Sequence, residues 1–138
     1  MGNHDDRIEK MMRRSLIPKA LYHNFREIFD IPGKWDVRKS FYYFQIRFEH
    51  GTGFGGASPH VKAAIWNRCS TVIGHSHVYG GVEWIRNNDS MIFGLSTGCG
   101  IDEAAYAFAY GGEMMRKPVL GCGVIVDEGK AAYFIPMR

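Results

Sequence analysis

The chain has 138 residues, of which 46% are hydrophobic and 14% aromatic, and carries a net charge of +3. That composition excludes a disordered chain, and no apolar run approaches the ~20 residues of a membrane span. A single domain over residues 1–138 is expected, able to bury about 68% of its unfolded surface.

No charged-then-apolar leader precedes Gly2, and Asp6 stands where a myristoylation motif wants Ser or Thr. The three cysteines, Cys69, Cys99 and Cys122, form no CxxC pair and read as reduced, packed thiols. A cytoplasmic protein without a membrane partner is the expectation. Arg7, Lys10, Arg13, Arg14 and Lys19 gather positive charge near the amino terminus. Such a cluster either faces phosphate or is a solvated helix face.

Asp5 or Asp6 can cap a helix to about Ser15, with Ile8, Met11, Met12 and Leu16 at helical spacing. Pro18 opens a second helix through Phe29, with Leu21, Phe25, Ile28 and Phe29 as its inner stripe. Phe41 to Glu49 reads as one strand, Tyr42, Phe44, Ile46 and Phe48 on one side. A glycine-rich loop, His50 to Ala57, leads to a helix from Ser58-Pro59 to about Arg68, with Val61, Ala64 and Ile65 inward. Thr71-Val72-Ile73 is a short buried strand.

Beyond it, Val82 to Arg86 and Ser90 to Ser96 form a hairpin around Asn87-Asn88-Asp89. Thr97 to Asp102 is a loop. A second hairpin, Val119 to Val126 and Ala131 to Ile135, turns at Asp127-Glu128-Gly129. The fold class is α+β: initial helices, then an antiparallel-leaning sheet with one helix.

Candidate chemistry centres on Gly74-His75-Ser76-His77, two imidazoles at the carboxyl end of a strand. Neutral imidazole suits first-row dications; two surface loop histidines are the plainer reading. Gly51-Thr-Gly53-Phe-Gly55-Gly56 satisfies G-x-G-x-x-G, but the acid that a dinucleotide site needs about 20 residues on is missing. A loop that turns tightly to aim His50 is the better account. His23 and His60 lie outside any motif and read as surface residues.

Gly2-Asn3-His4-Asp5 resembles the GNH[DE] motif of the calcineurin-like metallophosphoesterases, and Gly74–His77 resembles their GH[TS]H motif. His50-Gly51, after a strand, is similar to the family's lone metal-binding histidine. The likeness, closest to small prokaryotic and phage members, covers only the second part of the family's domain. It implies a truncated αββα sandwich, mainly its second sheet with flanking helices. It also implies phosphoester hydrolysis, with a phosphorylated substrate or nucleic acid.

By the same resemblance Asn3, His50 and His75 serve one metal and His77 the other, and His4 is the proton donor. The alternatives are residue by residue: Asn3 and Asp5 as helix caps, His50 as a satisfied strand-end histidine. The family's upstream Asp-x-His and Gly-Asp motifs do not occur in these 138 residues, nor do the carboxylates they carry. Neutral ligands leave a dication's charge uncompensated. Alone, the chain is expected to hold at most one divalent ion (Mn, Fe, Zn or Ni), weakly. Hydrolysis then needs a complementing amino-terminal half. The alternative is an inactive remnant serving as an interaction or regulatory protein. Strands apolar on both faces, as at Met91-Ile92-Phe93 and Val124-Ile125-Val126, call for a cover. That cover is either a second copy in a homo-oligomer or the complementing half.

Overall fold

The computed structural model describes residues 2, 6–16, 18–21, 23–102 and 116–137. Among them the fold is α+β, a mixed five-stranded sheet with a small second sheet and few helices. The strands are β1 (Ser40–Tyr43), β2 (Ile46–Glu49), β3 (Thr71–Ile73), β4 (Gly80–Arg86), β5 (Met91–Thr97), β6 (Gly121–Val126) and β7 (Ala131–Pro136). The first sheet runs β1-β2-β3-β5-β4, and β6 and β7 form the second. The middle of the first sheet is parallel, β2 with β3 and β3 with β5, flanked by antiparallel pairs. The antiparallel-leaning sheet expected from the pattern is therefore corrected to a mixed one. The helix between β2 and β3 is the crossover that parallel neighbours require.

Helices are α1 (Asp6–Arg14), α2 (Phe25–Ile28) and α3 (Pro59–Asn67). The single helix expected from Pro18 to Phe29 is broken: a 3₁₀ turn at Lys19–Leu21 precedes a separate α2. Asn24 causes the break. Its backbone is extended, its side chain accepts from Arg26 N and Glu27 N, and Glu27 reaches back to Asn24 N, completing a capping box. The expected strand from Phe41 to Glu49 is a hairpin, because Phe44 and Gln45 adopt positive φ (47° and 61°) and reverse the chain. That is the conformation of a type I′ turn, which matches strand twist and normally uses Asn or Gly.

The two sheets pack face to face over Ile46, Val72, Phe93, Leu95 and Ala132, with Phe48, Val82, Ile125 and Phe134 around them. On the opposite face lies α3, its Ala63 and Ala64 fully buried. Small residues let the helix come close: a side chain at Gly94 would strike the His60 carbonyl oxygen. Ile65, expected inward, is exposed, and His60, expected at the surface, is buried at 8% exposure. Among the described residues no helix is long and apolar enough to cross a membrane.

His60 gives the fold a pH dependence. Burial lowers its pKa from the ordinary 6.5, Glu83 pulling weakly the other way, and Nδ1 is buried without a partner among the described residues. The fold thus holds a neutral ring, while the unfolded chain takes up a proton as pH falls through 6.5. More protons on the unfolded chain mean that stability falls with falling pH. Above 6.5 the contribution is fully present; below it, stability drops by at most about 1.4 kcal/mol per pH unit until the folded ring titrates. Urea midpoints between pH 5 and 8, compared with those of His60→Gln, should show the variant's profile to be flatter.

Candidate metal-ligand site

β2 and β3 lie parallel in register, Glu49 opposite Ile73, so their carboxyl ends finish side by side. Gly74 N donates to His50 O (3.2 Å), carrying the ladder one step further. Gly51 turns the chain immediately: its φ is +89°, and a Cβ there would lie 2.8 Å from Ile73 Cβ. A side chain is excluded on both counts, by conformation and by space. The consequence is that His50 and His75, 25 residues apart in sequence, meet. Their rings sit edge to face with centroids 4.8 Å apart, and His75 Nδ1 lies 3.0 Å from His50 Nε2.

One ring must donate its N–H and the other accept, so the two share a single proton between those nitrogens. The same separation is that of two adjacent ligands around an octahedral ion with metal–nitrogen bonds of about 2.1 Å. Here the two nitrogens face each other across a hydrogen bond, and a shared ion would require both rings to turn toward a common point. Gly2 packs on the outer side of His50, where a Cβ would fall 2.9 Å from His50 Nδ1. The first motif thus begins against the second.

Asn3 and His4 lie outside the described residues. His77 is half-buried in the turn that follows His75. Its carbonyl accepts from Val119 N (2.7 Å), which ties the loop to the chain entering β6. Its side chain does not join the other two: among the described residues no three His, Cys, Asp or Glu side chains form a metal-binding group. The carboxylate next to His50 is engaged elsewhere. Glu49 accepts from Arg47 Nε (2.9 Å) with one oxygen and from Asn67 Nδ2 (2.8 Å) with the other.

Two features were not legible from the motifs. Asp6, whose N–H bonds Gly2 O (3.2 Å), has one carboxylate oxygen buried without a partner among the described residues. Its only sequence signal was the paired Asp5-Asp6 after His4, which reads equally well as a helix cap. Arg116, forty-one residues beyond His75, donates to Tyr79 OH (2.5 Å) and lies over the Tyr79 ring, bringing a cation to the histidine loop. Nothing in local spacing announces that contact. The glycine loop has no dinucleotide geometry: Lys62 Nζ bonds Gly55 O (2.9 Å), and it is Gly94, not Gly56, that lets helix and strand pack closely. Set against protein-family models, curated proteins and solved structures, the chain has no match.

Proposed function

We propose that this chain is one half of a calcineurin-like metallophosphoesterase site, its five-stranded sheet being the second sheet of the family's αββα sandwich. The observation that supports the reading is the 3.0 Å approach of His50 to His75, residues of two separate motifs, at the ends of adjacent parallel strands. The carboxyl ends of parallel strands are where open sheets place their ligands. In this reading His50 and His75, with Asn3, hold a divalent ion, His77 serves a second position, and His4 donates a proton to the leaving group. Bound metal would polarise the phosphoryl oxygen and supply an activated water. The Asp-x-His and Gly-Asp carboxylates, which these 138 residues do not contain, are contributed from outside this segment. Three unpaired cysteines fit a reducing, cytoplasmic setting.

The lone chain should bind no more than one Mn ion per molecule after mild chelation and reloading, and His75→Ala should weaken that binding at least about tenfold. It should hydrolyse bis-p-nitrophenyl phosphate no faster than His75→Ala. Adding a chain that carries both missing motifs should create activity that His4→Ala removes. Two tightly held ions on the lone chain, or histidine-dependent turnover without a partner, would overturn the reading. The second reading, an inactive remnant acting as an interaction protein, is supported by the absence, among the described residues, of any group of three metal-binding side chains. It predicts no activity under any complementation.

A further inference from the structure

Two segments are joined just beyond the histidine pair. Val119 N donates to His77 O (2.7 Å), and Val119 O accepts from Cys99 N (3.0 Å), two residues past the end of β5. From the His77 bond the two segments pass in opposite directions. Arg116, three residues before Val119, therefore comes level with Tyr79, two residues after His77, and the two side chains meet.

Tyr79 has a fixed backbone. Its N–H bonds Ser76 O (3.3 Å), and its carbonyl accepts from the hydroxyl of fully buried Ser96 (2.8 Å). The next residue, Gly80, is pressed against Phe134, whose ring a Cβ at that position would strike. A side chain on so constrained a backbone has little freedom left to lose on binding. Gly80 pairs with Thr97, and β5 runs parallel to β3, so the amino end of β4 lies at the same end of the sheet as His50 and His75. β3 and β4 are two strand spacings, about 10 Å, apart there, with β5 between them.

Arg116 is exposed. It gives one N–H to the Tyr79 hydroxyl (2.5 Å) and lies over the ring, 5.7 Å from its centroid. A guanidinium carries five N–H donors, and that bond uses one. The hydroxyl accepts it, which leaves the phenolic hydrogen to donate. A planar cation and a phenol side by side thus present charged and neutral donors from one place. That combination suits a tetrahedral oxyanion, and the arginine fork matches phosphate in particular. The chain's net charge of +3 draws such an anion from solution.

We propose that Arg116 and Tyr79 form a clamp for a phosphate group beside the histidine loop. That this phosphate belongs to a substrate of the histidine site rests on the phosphoesterase reading; the clamp itself does not. The same chemistry has two sources, a free phosphate and the backbone of a single-stranded nucleic acid. The probes are therefore inorganic phosphate and a short oligothymidylate. Each is titrated into the full chain with chelator present, so that no metal contributes, and followed by the NMR signal of the Tyr79 amide. Arg116→Gln should weaken binding at least about tenfold, the worth of one charged hydrogen bond. Tyr79→Phe, which keeps the ring, should weaken it about threefold. For the oligonucleotide, Arg116→Gln should also lower the slope of log affinity against log salt by about 0.7. Loss with both probes is the expected result. Loss confined to the oligonucleotide supports the clamp and assigns it to a nucleic-acid backbone; loss confined to inorganic phosphate supports it and assigns it to small phosphate compounds. Wild-type affinity for both probes in Arg116→Gln, or no binding of either by the wild-type chain, overturns the proposal. Hydrolysis plays no part in this readout, so the clamp and the phosphoesterase reading fail separately.

Discussion

Gly94→Ala is expected to destabilise the fold by at least about 3 kcal/mol, out of the 5–15 kcal/mol that holds a typical domain together. Gly94 sits in β5 between Thr71 of β3 and Glu83 of β4, and the strand is buried there. An added Cβ would meet the His60 carbonyl oxygen, His60 C at 2.5 Å and Val61 N at 2.9 Å. These are backbone atoms of the first turn of α3, so no side-chain rotation relieves the clash. The helix must move out by roughly 1 Å to restore carbon contacts of about 3.5 Å. That movement opens the packing of Ala63 and Ala64, now fully buried. Urea denaturation followed by Trp84 fluorescence measures the loss, because Trp84 lies edge to face on buried Phe93 at 5.1 Å. Gly100→Ala is the control: nothing lies within 4 Å of its Cβ position, so the midpoint should stay or rise slightly. Equal midpoints for Gly94→Ala and Gly100→Ala would mean that α3 is not held against the sheet at this point.

Local chemistry made part of this fold readable. Thr71–Ile73 is a β-branched, apolar run with the bounds it has in the structure, fully shielded on both faces. The pairing of β3 with β2 and β5 was not readable, because register between distant strands depends on the crossover through α3. Phe44-Gln45 hid its turn for a different reason: neither residue favours positive φ, so tertiary context overrides the local preference. Asn24 looked like an interior helix residue until its side chain was seen capping α2. At the site, His50 and His75 were each visible as motif residues. Their meeting was not, since it needs two strand ends in register and a glycine at position 51. His60 lacked any signal, because a histidine at the start of a helix is buried or exposed according to what the opposite strand lacks, here a side chain at Gly94.

The lone chain is expected to associate in dilute solution, with a light-scattering mass at least twice its 15.6 kDa. Among the described residues the second sheet has two strands, and half-buried Phe48 borders the cleft between the sheets. At the rim, the β1–β2 turn carries Tyr43 and Phe44, rings 4.3 Å apart, at 65% and 49% exposure. Tyr42 beside them is 61% exposed, and β1 is an edge strand with a free backbone side among the described residues. Contiguous apolar surface next to an unpaired edge is what native chains cover or charge. The nearby Arg47 is occupied with Glu49 and the Tyr42 hydroxyl (2.8 Å). Tyr43→Lys and Phe44→Glu alter exposed positions and should cost little stability, yet each should shift the mass toward that of one chain. A wild-type mass of one chain at tens of micromolar would show that the exposed face is tolerated in water. A multiple mass unaffected by both substitutions would place the contact elsewhere on the molecule.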